Sequence, residues 1–499
     1  MQFAIWLVGL MCHLSALVRN SLEYRLHPKQ ESFIKRLSSY EIITPLRIND
    51  QGESFPHQLH YRRRRRSALT AEPAAGVRAH YRIDAFGKRF HLNLTGDSSF
   101  IAPTYTVTHL GEEHVNATVS NPPPDLSDMR HCFFRGHVNA AIESTAVFSL
   151  CTGLIGTFTT QHGEYFLEPL MKAEEEEETE FDEEHNKPHL VYRHDRRMES
   201  PASEPKQPCS ASGSSRPVVN LQGNGSLGEE LDWLRGRIDT HPPTISNTSN
   251  PHLRAPSRRK RFLSYPRYVE LMLTTDVKMV RHHGRNLEHY ILTIMSVVAA
   301  VYRDPSVGNL INIMIVKLIV IHNEQDGPSI NFNAATTLHN FCVWQQTQNV
   351  QDDRHPSHHD TALLITREDI CRAKDKCDTL GLAELGTMCD PFRSCSISEE
   401  NGLSASFTIA HELGHVFNMP HDDNSKCKEV GMKHQHHVMA PTLNYDTSPW
   451  SWSKCSRKYI TEFLEHNPAL KMPDKQSFSR WHAFFAETVT RGNGSFSGL

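Results

Sequence analysis

Three imidazoles and one carboxylate sit within the segment His411-Glu412-Leu413-Gly414-His415-Val416-Phe417-Asn418-Met419-Pro420-His421. In a helix, residues four apart share a face. His411 and His415 then project together and can hold one zinc ion, with Glu412 beside them to take a proton from water. Beyond His415 the chain must turn sharply to bring His421 to the same metal. Asn418 stands at that turn, and Asn is one of the few residues besides Gly that accept a left-handed backbone. In a chain with 32 His, a lone His-x-x-x-His could arise by chance. Glu412 and the third His argue against that reading. The chemistry is zinc-assisted peptide hydrolysis: the metal acidifies a water and polarises a carbonyl, and Glu412 passes the proton to the leaving amine.

The surrounding sequence supplies elements to position these groups. Ser406 to Ala410 is an amphipathic lead-in, with Ser404 or Ser406 placed to cap the helix start. Residues 262 to about 464 carry strand and helix patterns in alternation. Tyr268 to Leu273 alternates as a strand. Asn286 to Val301 reads as a helix with Leu287, Ile291, Ile294, Met295 and Val298 inward. Leu310 to His322 is apolar enough for a buried central strand. Thr336 to Gln348 reads as helix, Thr361 to Thr366 as a short strand, and Leu380 to Gly386 as an edge strand just before the zinc helix. The alternation predicts an α/β layered domain with a mixed, twisted sheet. An edge strand beside the metal would let an extended peptide pair by its backbone. Asp422 to His436 is expected to form one wall of the pocket.

Residues 1–20 hold an apolar run, Phe3 to Leu17, too short to span a bilayer comfortably; it reads as a signal peptide, with a buried N-terminal helix as the alternative. No later run of about 20 apolar residues predicts a membrane span. Residues 21–261 read as a propeptide, β-rich and folded to about 170. His80 to Ile83, Phe90 to Leu94, Ala146 to Cys151 and Tyr165 to Leu167 have strand character there, and Cys132 and Cys151 could be bridged. Then composition shifts. Glu174 to Glu178 is an acidic run, read as a solvated segment in preference to a cation site. Residues 195–260 are rich in Pro, Ser, Asn and Arg and read as a disordered linker. Arg258-Arg259-Lys260-Arg261 ends that arm, where a proprotein convertase would cut after Arg261. Arg62 to Arg66 is a second basic run. Nuclear localisation or contact with a glycosaminoglycan-like polyanion are the alternatives for such runs. A net charge of −4 argues against a general nucleic-acid binder. Sequons at Asn93, Asn116, Asn224, Asn247 and Asn493, together with 11 Cys, point to an oxidising, extracellular setting.

The zinc segment is similar to the metzincin signature, His-Glu-x-x-His-x-x-Gly-x-x-His followed by a methionine turn. Asn418 replaces the Gly. His437-Val438-Met439-Ala440-Pro441 supplies the turn, with Met439 read as packing under the metal and not as a ligand. Further segments extend the likeness: Asp304-Pro305-Ser306-Val307-Gly308-Asn309-Leu310-Ile311, Asn323-Glu324-Gln325-Asp326-Gly327-Pro328, His359-Asp360-Thr361-Ala362 and Cys377-Asp378-Thr379-Leu380-Gly381-Leu382-Ala383. From about residue 25 to Leu464 the chain resembles the ADAMTS family of secreted zinc metalloproteinases, above all its long members that end in a GON domain.

That resemblance implies a metzincin-type catalytic domain acting on extracellular-matrix proteins of the proteoglycan type, located in the matrix or at the cell surface. It implies structural calcium at Glu270, Asp353 and Asp360, which residue type alone would leave as surface acids. It implies the bridges Cys342 to Cys395, Cys371 to Cys377 and Cys427 to Cys455. It also implies a zymogen switch in which Cys209 caps the zinc. Residues 465–499 diverge and hold no cysteine, where a family member continues to a disintegrin-like domain and thrombospondin repeats. Cys389 is therefore expected to lack its partner. Two functions stand: an active endopeptidase, or a truncated, catalytically weak or inactive secreted binder that competes with longer relatives.

Overall fold

The computed structural model describes residues 27–54, 77–111, 126–171, 187–193, 207–209, 266–374, 376–428, 437–442 and 447–466. The expected signal peptide, Arg261, Asn116, Asn224, Asn247, Asn493, most of the linker and the tail after His466 lie outside these residues.

The N-terminal unit begins with helix α1 (Pro28–Ile34) and strands β1 (Tyr40–Ile43), β2 (Leu46–Ile48), β3 (Arg78–Ala85) and β4 (Lys88–Gly96). Alternation is strict in the central pair: Ala79, Tyr81, Ile83 and Ala85 on β3 and Phe90, Leu92 and Leu94 on β4 are buried, as one-sided strands require. Their hairpin turns through Phe86 and Gly87, both at positive φ, the backbone that matches the strands' twist. Next come β5 (Ile101–Leu110), β6 (Phe133–Val138), β7 (Thr145–Ser149), β8 (Ile155–Thr160), β9 (Gly163–Pro169), β10 (His189–Arg193) and β11 (Gln207–Cys209). Nine of these strands form one antiparallel sheet in the order β1-β10-β9-β8-β7-β6-β4-β3-β2. The disulfide Cys132–Cys151 fastens it.

The C-terminal unit runs β12 (Arg267–Thr275), α2 (Val277–His283), α3 (Leu287–Tyr302), β13 (Ile311–Ile321), α4 (Ala334–Gln348), β14 (Thr361–Thr366), β15 (Thr379–Ala383), β16 (Cys395–Glu399), α5 (Ala405–Val416), α6 (Ser425–Lys428) and α7 (Lys454–His466). Side-chain caps start α2 and α4, with Asp276 accepting from the Met279 N–H and Asn333 from the Thr336 N–H. Its strands are parallel, apart from antiparallel β15 against β16. This is the α/β, metzincin-type arrangement: a mixed sheet followed by a long helix that carries the histidines. Disulfides join Cys342 to Cys395, Cys371 to Cys377 and Cys427 to Cys455.

Two strands of the N-terminal unit complete this second sheet, whose order is β11-β15-β16-β14-β12-β13-β5. Both pair in parallel with their neighbours. The strand expected at the edge, Leu380 to Gly386, is Thr379–Ala383 and is not an edge: Gln207–Cys209 lies alongside it. An open edge presents unpaired N–H and C=O groups, and β11 supplies their partners.

The two units also share one hydrophobic core, in which Phe133, Phe166, Leu190 and Tyr192 join Tyr290, Leu292 and Phe407. Helix α3 shows the result. One inward face was expected, yet every residue of it except Glu288 is buried. Its second face meets the N-terminal unit, where Ser149 Oγ lies 2.6 Å from His289 Nε2 and Tyr105 donates to Glu288 at 3.1 Å. Arg303 pairs with Asp97 across the same boundary at 3.0 Å.

Candidate metal centre

All twelve residues of α5 are buried. Neither expected serine caps it: Ser404 stands at the N-cap without a side-chain bond there, and Ser406 Oγ donates to Leu403 O. The turn into the helix is instead held by Glu400, which accepts from the Gly402 N–H at 2.7 Å and from Tyr290 Oη at 2.6 Å. Arg367 pairs with the same carboxylate. Burial would raise its pKa, but His283, Arg367 and Tyr290 outweigh that and bring it to about 2.

At its other end the helix stops where the sequence places the turn. Asn418 has φ of 69°. Its N–H donates to His415 O, and the Met419 N–H donates to Gly414 O, the pattern of a left-handed C-terminal cap. The chain thereby reverses, and His421 Nε2 comes within 3.1 Å of His411 Nε2 and 3.2 Å of His415 Nε2. His411 Nδ1 lies 2.7 Å from Val438 O, and His415 Nδ1 lies 2.8 Å from Met419 O. Carbonyls only accept, so each Nδ1 carries the proton and each Nε2 turns its lone pair inward. Lone pairs converging at this range repel one another unless a cation lies between them. Ligands of a tetrahedral zinc stand roughly 3.3 Å apart, from bonds of about 2.0 Å, so this donor set fits zinc. Burial first, then the neighbouring imidazoles, hold His411 well below its usual pKa and His415 at about 3; burial also lowers His421, against Asp423. The rings are neutral, as ligands must be.

Two glycines make room around this centre. A Cβ on Gly381 of β15 would lie 2.5 Å from Glu412 Oε1, so the carboxylate occupies the space that side chain would need. A Cβ on Gly414 would lie 2.5 Å from Met439 Sδ, so the methionine packs directly beneath the helix. The turn that carries Met439 also supplies Val438 O to His411. Tyr302 Oη donates to Ala410 O at 2.9 Å and buttresses the helix from α3. Sequence reasoning passed over Gly381, Gly414 and Glu400; a glycine within a strand, which often marks a close approach, was the available signal for the first.

The remaining expected site residues fall as follows. Asp353 and Asp360 come together, with His358 as the third member of their group. The Glu270 side chain is not in that group, although its backbone N–H donates to Asp360 Oδ2 at 2.8 Å. The strand partner of Cys209 is Gly381, the residue that accommodates Glu412; the Cys209 side chain lies outside the described residues. Asn93 is exposed on β4, and Cys389 is a free thiol among the described residues. Most of the expected pocket wall, residues 429–436, lies outside them too. Among the described residues no helix is long and apolar enough to cross a membrane.

Residues 267–472 match the model of the reprolysin (M12B) family zinc metalloproteases, and residues 41–139 match that of the reprolysin family propeptide. The chain thus carries a zinc metalloprotease domain of reprolysin type, preceded by a propeptide domain of the same family. "A disintegrin and metalloproteinase with thrombospondin motifs 20" of Mus musculus is 58% identical to it over 468 residues, covering 93% of this chain and 24% of that protein. The Homo sapiens protein of the same name is 51% identical over 484 residues, covering 96% and 25%. "A disintegrin and metalloproteinase with thrombospondin motifs 1" of Rattus norvegicus is 41% identical over 404 residues, covering 79% and 40%. The chain belongs to the ADAMTS family of metalloproteinases. It spans about a quarter of the length of the first two relatives.

Proposed function

We propose that this chain is a secreted zinc metalloendopeptidase that cleaves extracellular-matrix proteins, proteoglycans among them, and is made as a zymogen cut after Arg261 by a proprotein convertase. The carrying observation is the convergence of three Nε2 atoms, two of them with Nδ1 anchored to a backbone carbonyl, with Glu412 following His411 in sequence on the same helix. His411, His415 and His421 hold the zinc. The bound ion supplies Lewis acidity toward the scissile carbonyl and lowers the pKa of water. Glu412, seated against Gly381, takes the water proton and returns it to the departing amine. Strand β15 offers its backbone to an extended substrate. In the zymogen β11 holds that edge, and its pairing of Cys209 with Gly381 supports latency, with the thiol as the zinc cap. Calcium at Glu270, Asp353 and Asp360 belongs to the same family reading, but an imidazole and a thiol flank those carboxylates and fit a hard oxygen-seeking ion poorly.

The test is cleavage of a proteoglycan core by convertase-treated chain, with Glu412→Ala as the control. The substituted protein should keep its zinc and lose all turnover. Equal turnover in both would remove Glu412 from the mechanism. The free Cys389 favours the second reading, a secreted competitor of low activity; zinc-loaded, processed chain that binds the core protein without cutting it would establish that reading.

A further inference from the structure

Strand β15 carries the same arrangement at both of its ends. Successive side chains on a strand point to opposite faces, so its residues sort by parity. Thr379, Gly381 and Ala383 are small and buried, and Gly381 lies against Glu412. The alternate positions are Asp378, Leu380, Leu382 and Glu384. Ala383 joins the core that holds Leu413 of α5, whereas Leu382 packs on the core that holds Phe341 of α4. The row turned away from the zinc helix therefore reads acid, leucine, leucine, acid.

Each acid is steadied by an arginine that stands off the strand. Asp378, just before β15, accepts from Arg372 Nε at 3.1 Å through Oδ1 and from Arg372 Nη2 through Oδ2. Glu384, just after β15, accepts from Arg393 Nε at 2.6 Å through Oε2. Neither carboxylate is exhausted, since a carboxylate has about four acceptor sites. Glu384 Oε1 has no bond among the described residues. The bonds from Arg372 hold the Asp378 carboxyl below its usual range, so it is an anion at neutral pH. Both acids reach water, with 24% of the Asp378 side chain and 39% of the Glu384 side chain exposed. Exposed ion pairs of this kind are weak and leave room for a second cation.

We propose that Asp378 and Glu384 set substrate preference, selecting extended segments with a Lys or Arg side chain about three residues to each side of the cleaved bond. The inference rests on the proteolytic reading, in which the substrate lies along β15 once β11 has left that edge. Glu412 acts at the scissile bond, so that bond lies abreast of Gly381. Asp378 and Glu384 are equally distant from Gly381 along the sequence. The expected pattern is therefore the same whichever way the substrate runs. Side chains directly across a strand pair stand about 5 Å apart, and the two acids continue the line of the strand itself. Arg372 and Arg393 approach them from outside it. A peptide on β15 thus meets the carboxylates before the guanidiniums, and a cation on the peptide is favoured at both ends.

The experiment uses the full chain after convertase treatment and peptides of one extended apolar sequence, with Ala, Lys or Glu at two positions six residues apart. Each Lys should raise kcat/KM over Ala by roughly two- to fivefold, each Glu should lower it, and salt should shrink both differences. Mass spectrometry should place the cut midway between the two lysines. Glu384→Lys should reverse the preference at its own end, favouring Glu there, while the other end still favours Lys. Asp378→Asn should erase the preference at the opposite end. A purely structural role for either acid would change all the peptides alike. Binding of the same peptides to Glu412→Ala chain, read by fluorescence anisotropy, gives the charge preference without turnover. Preference in binding with no cleavage by the parent would count against the proteolytic reading and support the charge pattern. Equal binding and turnover across the Ala, Lys and Glu peptides, or a Lys preference that Glu384→Lys leaves intact at both ends, would overturn the proposal.

Discussion

Replacing Gly381 by Ala tests how Glu412 is positioned. The new Cβ would lie 2.5 Å from Glu412 Oε1, 2.7 Å from its Cγ and 2.8 Å from its Cδ. An ordinary contact is longer by several tenths of an ångström, and Glu412 is fully buried, so the carboxylate must withdraw by something approaching 1 Å. A displacement of that size costs about 100-fold in rate, or about 2.7 kcal/mol on the barrier. The three atoms nearest this Cβ all belong to Glu412, so zinc content should stay at the parent value. Steady-state cleavage of a matrix-protein substrate by convertase-treated chain, with zinc measured in parallel, reads both quantities. The loss should fall on kcat, since the substrate-binding edge is retained. Adding Glu412→Asp shortens the displaced side chain, and the double variant should lose less than the two single losses combined. A Gly381→Ala protein with parental kcat, or one whose loss tracks loss of zinc, would refute the reasoning.

Asn418→Gly should be close to neutral because φ of 69° suits glycine, whereas Asn418→Val should cost about 1 to 3 kcal/mol and speed zinc release, read from thermal melts and chelator kinetics. Removing the Cys342–Cys395 bridge by a double Ala substitution opens a loop of 53 residues. The chain-entropy relation puts the loss at about 4 kcal/mol, measurable as a lower denaturant midpoint. Acid should loosen the contact between the two units. Burial first, then His131, lowers His289 to about 4. Released imidazole takes its proton near 6.5. The docking contribution is therefore complete above about 6.5 and is lost as pH falls through about 4, a change of roughly 3 kcal/mol. Retention of the N-terminal unit by convertase-cut protein across that range measures it, and His289→Asn should flatten the profile.

The metal centre was legible because its signals are local. His411 and His415 share a helix face, Asn418 can adopt the turn, and Met439 follows within the same stretch of chain. Strand β12 was legible from alternation, β13 from its continuous apolar run, β14 as a short strand, and α3 from its helical period. The extra edge strands were not. Gln207–Cys209 is three residues long and pairs with Thr379–Ala383, far along the chain; nothing in its composition marks a strand. The period of α3 exposed one face for the second unit to cover, but periodicity names no partner. Gly381 and Gly414 were invisible for a related reason: a missing side chain acquires meaning only once Glu412 and Met439 are placed against it.

The N-terminal unit grips its neighbour by both margins of one sheet, β5 along β13 and β11 along β15. Severing the connecting peptide breaks neither ladder. Scission and departure are therefore separate events, each with its own barrier, and departure requires two rows of backbone bonds to unzip around a common oily seam. On the proposed cut after Arg261, the protein that emerged would carry two unfinished borders: one along β15, where an extended peptide could pair, and one along β13 on the far side, open to any strand that lies along it.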